Sequence, residues 1–254
     1  MARAFRLAAA LLAVVASSAV AADIDPSRSY TVGVEDLQYY PLHTISNGNT
    51  FGGFAREVLD AFAKDQGYEF RYVPLPVNRL YLAFLKEQSL DFKYPDNPKW
   101  KAELRGTAKI RYSAALVTTE EGAMVLPKHK GRSLREVKTL GTVLGFTPWP
   151  YLPAIDSKAI ALSTGAEFEG LLRHALADHI DAVYVNIDVA NYLLAERLNA
   201  PAGLLFDPGL PHARSDFSLS TLRHPGLLSE FDAFLQRERL MLQKLRSKYK
   251  IEER

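Results

Sequence analysis

Arginine is the side chain best built to grip an anionic solute, because its planar guanidinium pairs with a carboxylate or phosphate through two parallel hydrogen bonds. Two arginines fall where such a grip could form: Arg79, opening a segment with helical spacing, and Arg111, in an extended run. Each reads equally well as an exposed arginine in a surface ion pair. The stretch Asn47-Gly48-Asn49-Thr50-Phe51-Gly52-Gly53 precedes a helix whose first N–H groups could face an anion. It lacks both the Gly-Lys-Ser/Thr of a phosphate-binding loop and the glycine spacing of a dinucleotide fingerprint, and its glycines would serve an ordinary turn as well.

Aromatic residues gather in the segments between regular elements: Tyr39, Tyr40, Phe51, Tyr94, Trp100, Phe146, Trp149 and Tyr151. Several aromatic walls with a few polar groups are the usual make-up of a small-molecule site. Tyr40, Phe51 and Phe146 stand out because they follow strands, with Thr147 next to Phe146 and Tyr94 at another strand end. Asp96, Asn97 and Asn186 could hydrogen-bond a polar solute, and Asp96 could pair with an amine. The run Tyr94-Pro95-Asp96-Asn97-Pro98 is also turn chemistry, in which Asp and Asn cap backbone groups.

Catalytic sets are harder to assemble. His174 and His179 are five apart, not the i, i+4 spacing of a helical zinc pair, and neither H-E-x-x-H nor G-x-S-x-G occurs. The adjacent carboxylates Glu120 and Glu121 would point to opposite faces of a strand, so both are read as solvated. There is no cysteine, which removes disulfides, thiolate nucleophiles and Cys-ligated metals. The residues therefore point to binding rather than catalysis, with no cofactor and no metal.

The chain has 31 basic and 29 acidic residues. Its first 22 residues carry only Arg3 and Arg6, so the remainder is balanced and gives no electrostatic case for nucleic acid. Those two arginines precede an apolar run from Leu7 to Ala16 and the triplet Ala19-Val20-Ala21, the layout of a signal peptide. The run is about half of the roughly 20 residues that a spanning helix needs. Cleavage near residue 22 would export a protein that starts near Asp23, with the periplasm as its compartment.

The elements that must position the candidates alternate between strand and helix. Tyr30–Val34 reads as a strand. Phe54, Val58, Leu59 and Phe62 form a helical face. A strand at Phe70–Val73, a helix over Asn78–Lys86 and a strand at Asp91–Tyr94 complete a βαβαβ unit. Extended segments follow at 110–117 and 123–126, then a second unit with strands at Thr139–Leu144, Ala159–Leu162 and Asp181–Val185. Its clearest helix runs through Phe168, Leu171, Leu172, Ala175 and Leu176, with Thr164 and Glu167 placed as a capping box. A helix over Asp188–Arg197, a turn at Asp207–Pro211, a strand at Phe217–Leu222 and one long C-terminal helix end the chain. Asp91 and Asp181 open corresponding strands, which suggests two facing lobes whose strand ends line one cleft.

These segments resemble the periplasmic solute-binding proteins of amino-acid-type ABC transporters. The resemblance is carried by Tyr39-Tyr40-Pro41-Leu42, Gly52-Gly53-Phe54, Pro76-Val77-Asn78-Arg79-Leu80 and Leu140-Gly141-Thr142-Val143-Leu144-Gly145. Ile180-Asp181-Ala182-Val183-Tyr184 and the terminal Lys248-Tyr249-Lys250-Ile251 add to it. It implies the type II periplasmic-binding-protein fold: two α/β lobes, each a mixed sheet flanked by helices, joined by a two-strand hinge. Lobe 1 would be residues 23–116 with 210–254 and lobe 2 residues 117–209, with crossings near Ala114–Thr119 and Phe206–Pro211. It further implies a monomer that closes on a small polar or zwitterionic, amino-acid-like solute and delivers it to an ABC permease or a sensor domain. Two positions depart from the family. Gly106 stands seven residues before Ser113, where the carboxylate-clamping arginine is usual, and Asn186 stands where an acid usually meets the ligand amine. A relative kept for sensing or scaffolding, or an exported enzyme on the same scaffold, are the alternatives.

Overall fold

The computed structural model describes residues 28–46 and 49–252. The leader at 1–22 and the Asn47-Gly48 part of the glycine-containing stretch lie outside the described residues. The first half begins with β1 (Ser29–Glu35), a small hairpin of β2 (Thr44–Ser46) and β3 (Thr50–Gly52), and helix α1 (Phe54–Gln66). Then come β4 (Glu69–Leu75), α2 (Val77–Leu82), β5 (Phe92–Asp96), the short α3 (Ala102–Arg105) and β6 (Arg111–Tyr112). The second half runs through β7 (Val117–Val125), β8 (Thr139–Val143), α4 (Leu152–Asp156), β9 (Ala161–Gly165), α5 (Phe168–Leu176), β10 (Ala182–Asn186) and α6 (Ile187–Tyr192). After β11 (Leu205–Phe206) and β12 (Ala213–Thr221), the chain ends in α7 (Pro225–Arg237) and α8 (Arg239–Tyr249).

The strands form one continuous ladder in the order β4-β1-β5-β12-β7-β10-β8-β9, with β6 on β12 and β11 on β7. Both halves repeat one arrangement. The first strand lies between the second and third, all parallel, and the third pairs or borders an antiparallel crossing strand. Residues Ala213–Phe217 of β12 pair with β7, whereas Ser218–Thr221 pair with β5 and β6. The chain thus passes from one half to the other within β12 and again at the start of β7.

A matched clasp locks each half. Asp91 Oδ2 accepts from Thr31 N and Oγ1, both at 2.8 Å, and Asp91 N donates to Thr31 Oγ1 at 3.0 Å. Asp181 Oδ2 accepts from Thr139 N and Oγ1 at 2.8 and 3.0 Å, and its own N–H donates to Thr139 Oγ1 at 2.9 Å. Each Asp opens the third strand and each Thr sits in the first, so the clasp fixes the register of neighbouring parallel strands.

Three local expectations change. Thr164 is consumed in the β8–β9 ladder, so α5 starts from Glu167 with no side-chain cap, and the true capping box is Ser133 with Glu136. The helix expected over 78–86 is α2 followed by a π-helical turn at Ala83–Glu87. The long C-terminal helix breaks at Glu238, inside the charged run Arg237-Glu238-Arg239. The break lets α8 turn onto α1, where Lys248 Nζ donates to Glu57 at 2.6 Å and Tyr249 packs edge-on against Phe54.

Candidate functional site

Between the two halves lies a small pocket, partly open to solvent, lined by Glu35, Val77, Tyr81 and Trp100 from the first half and by Glu121, Gly145, Phe146, Thr147 and Tyr184 from the second. Glu35 is the last residue of β1 and Val77 the first of α2, so the first half offers the carboxyl end of its central strand, where open α/β sheets bind ligands. The loop after β8 supplies Gly145-Phe146-Thr147, and the crossing strand β7 supplies Glu121. The halves touch at the rim. A Cβ on Gly145, whose φ is +99, would come 2.9 Å from Val77 Cβ. Lys101 N donates to Thr147 Oγ1 at 3.3 Å, and Lys99 Nζ stands 4.3 Å from the Trp149 ring centroid.

The cavity's charge is carried by two buried carboxylates. Glu121 is only 4% exposed and Glu35 3%. Ser215 Oγ donates to Glu121 Oε2 at 2.8 Å. Burial pushes the Glu121 carboxyl up to about 7; the Ser215 hydroxyl opposes that rise and the charge of Glu35 adds to it. Glu35 Oε2 meets the fully buried His43 Nε2 at 3.5 Å, long for a hydrogen bond, and the His43 ring lies against Tyr39. The hydroxyl of Tyr184, a residue 3% exposed, faces the Glu121 carboxyl, and burial together with that carboxylate pushes the phenol's pKa up.

Two cations that face the pocket residue Tyr81 are committed elsewhere. Lys93, fully buried, donates to Asp96 Oδ1 at 3.2 Å, and Arg105 Nη2 donates to the same oxygen at 2.8 Å. Ser220 Oγ donates to Asp96 Oδ2 at 2.7 Å. Burial alone would raise the Asp96 carboxyl, but Lys93, Arg105 and Ser220 together hold it below the usual carboxylate range. Both cations face the Tyr81 ring, Lys93 Nζ at 4.3 Å and Arg105 Cζ at 5.7 Å from its centroid, and neither lines the cavity.

Of the candidates read from sequence, Phe146 and Thr147 line the cavity. The others are placed apart from it. Arg79 is exposed and forms a two-point ion pair with Glu87, and Arg111 is exposed on β6. Tyr40 packs on Tyr192 and Tyr249 at the outer edge. Phe51 and Tyr94 are core, Phe51 against Tyr72. Asp96 serves the buried cations. Asn97 holds its turn, accepting from Lys99 N and donating to Asp216 O, both at 2.9 Å. Asn186 caps α6 by accepting from Val189 N at 3.0 Å.

Glu35, Tyr81, Glu121 and Tyr184 were not among those candidates. Glu121 corrects the reading of both adjacent glutamates as solvated: it turns inward beside Ser215, while Glu120 on the opposite face meets His212 Nε2 at 3.6 Å. The signal was in the strand's alternation, since Glu121 keeps step with the buried Val117, Thr119, Ala123 and Val125.

No family model matches the chain, and a search of curated proteins finds no match. Solved structures do match. An ancestral arginine-binding protein bound to arginine superposes with a TM-score of 0.69 at 16% identity, over 87% of this chain and 98% of that one. A substrate-binding protein of an ABC uptake transporter from Streptococcus pneumoniae, with bound histidine, gives 0.68 at 18% identity, over 88% and 92%. An ancestral amino-acid-binding protein described as a precursor of cyclohexadienyl dehydratase gives 0.64 at 18%, over 88% and 96%. The chain has the two-lobed α/β fold of the type II periplasmic binding proteins, and its structural neighbours include substrate-binding proteins of ABC transporters.

Proposed function

We propose that the protein is exported, captures a small polar or zwitterionic, amino-acid-like solute between its lobes, and presents it as a monomer to an ABC permease. The observation that carries this reading is the pocket itself: it is lined by side chains from both halves, and the halves are joined by two strand crossings. Hinge closure around such a cleft is how two-lobed binding proteins trap their ligands. The lobes we propose are residues 23–116 with 218–254 and residues 117–217; this shifts the return crossing expected near Phe206–Pro211, and the boundary at 209/210, to Phe217–Ser218, a reading supported by the change of β12 partner from β7 to β5 and β6. The neighbours that carry bound arginine and histidine support a small-molecule ligand. The test is a thermal-shift screen of the protein beginning at Asp23 against amino acids, polyamines, dicarboxylates, short peptides and sugars. A ligand at 100 times its dissociation constant stabilises by about 2.7 kcal/mol, which raises the melting temperature by roughly 5 to 10 °C in a chain of this size. A flat screen across every class would remove the reading.

A second reading, an enzyme on the same scaffold, has one observation in its favour. Glu121, poised near 7 in a partly apolar cavity, has the environment of a general acid. One neighbour is named as the precursor of a dehydratase. Proton NMR of any hit after prolonged incubation with the protein separates the two, because a binding protein returns the ligand unchanged.

A further inference from the structure

The ligand's charge can be read from the cavity wall, on the basis of the solute-capture reading above. The lining carries two carboxylates, four aromatic rings, one hydroxyl of threonine and no basic side chain. In the amino-acid binders that the sequence resembles, an arginine meets the ligand's carboxylate, and Gly106 stands at that position here. Here Arg79 is spent on Glu87 and Arg105 on Asp96, so neither has a free fork to offer.

An anionic or zwitterionic solute entering this cavity would place its carboxylate beside Glu35 and Glu121 with no cation lining the wall to receive it. Burying an uncompensated like charge of that kind is costly. A cation would instead neutralise carboxylates whose burial is otherwise unfavourable. The rings of Tyr81, Trp100, Phe146 and Tyr184 present π faces and edges of the kind that bind ammonium and guanidinium groups. The Tyr184 hydroxyl, beside Glu121, offers a further oxygen acceptor at the same wall.

We propose that the interlobe cavity is a site for a small organic cation, an amine, quaternary ammonium or guanidinium compound without a carboxylate, held between Glu35 and Glu121 and walled by Tyr81, Trp100 and Tyr184. The acidic pair does not stand alone in this assignment. The pocket between the halves, its four aromatic walls and the buried Tyr184 hydroxyl belong to the same lining.

The experiment is calorimetric titration of the protein at pH 8 with choline, agmatine and putrescine, alongside arginine, glutamate, succinate and glucose. Choline is compared with its neutral isostere, in which carbon replaces the quaternary nitrogen. The expected result is 1:1 binding of at least one of the three cations, at least tenfold tighter than any carboxylate-bearing solute. Should choline be that cation, its neutral isostere binds at least tenfold more weakly. Glu121→Gln and Glu35→Gln, each shown folded by its melting transition, weaken that cation at least tenfold. If a zwitterion or an anion binds and the cations do not, the charge assignment is overturned while solute capture stands. If cations bind with affinity unchanged in both variants, the site assignment is overturned. If none of these solutes binds, the cation assignment falls, and the thermal-shift screen across every class decides whether solute capture stands.

Discussion

A carboxylate pushed to about 7 by burial makes the folded protein prefer the proton that the unfolded chain, with Glu121 near 4.5, has already released. Stability from this residue is complete below about 4.5, declines between 4.5 and about 7, and stays reduced above. The full loss is of order 3 kcal/mol. The groups that face Glu121 are Glu35 from β1, Tyr184 from β10, Ser215 from β12 and Tyr39 from the loop after β1. Glu121→Gln keeps the neutral shape, so its melting temperature should overtake that of the wild type as pH rises through this window. Parallel melting curves with no divergence between pH 4.5 and 7 would show that Glu121 is ionised at no cost. Asp96 is the opposite case, a charge the fold depends on. Asp96→Asn leaves Lys93 buried without its carboxylate and should cost about 3 to 5 kcal/mol, read by urea denaturation. Lys93→Met should cost much less, because Arg105 still neutralises Asp96. Both charges had signals in Phe92-Lys93-Tyr94-Pro95-Asp96, a lysine between aromatics in an otherwise apolar strand with an acid three residues on. Sequence alone left Asp96 to choose between ligand and turn, and only the fold brings Arg105 and Ser220 to it.

At the scale of elements, the repeated Thr–Asp clasp ties the first and third strands of each half. Asp181→Ala removes three hydrogen bonds at a partly exposed strand start and should lower stability by about 1 to 3 kcal/mol. Hydrogen exchange should localise the loss to β8 and β10, leaving β1 and β5 protected; uniform deprotection of both halves would argue against independent clasps. The loop after β8 makes the other element-level prediction. Gly145 has φ +99 and no room for a Cβ beside Val77, so Gly145→Val should both strain the turn and hold the rim apart. Weakened ligand binding with a melting temperature lowered by only a few degrees is the expected outcome, checked by titration and thermal unfolding. The alternating βαβαβ order and the equivalence of Asp91 and Asp181 were legible because hydrophobic period and helix-to-strand spacing are local properties. The capping box at Thr164, the unbroken C-terminal helix and the simple helix over 78–86 were misread because strand pairing and helix docking, which are non-local, decide where those elements stop.

For the whole molecule, what positions the site is the sharing of β12 between both halves, which makes one ladder out of two sheets and sets Glu35 opposite Glu121. Two lobes could be anticipated from the repeated units. The composition of the cleft could not, since Tyr81, Trp100, Glu121 and Tyr184 come from four separate elements or loops and no spacing in the chain links them. Phe146 and Thr147 were found because the loop after a strand's carboxyl end is a general place for ligands. Arg79 and Arg111 were offered because residue type alone suggested them, and the packing of α2 and β6 turns both outward. Only two tryptophans occur, Trp100 in the cavity wall and Trp149 near the rim, so emission from Trp100 can be isolated in a Trp149→Phe protein. Titrating that protein with the solute that gives the largest thermal shift is the most direct test of the interlobe site. Saturable change in Trp100 emission, with the same dissociation constant as calorimetry and lost on Glu121→Gln, is the predicted result. A solute that stabilises the protein while Trp100 emission stays unchanged would place binding outside this cavity and contradict the account.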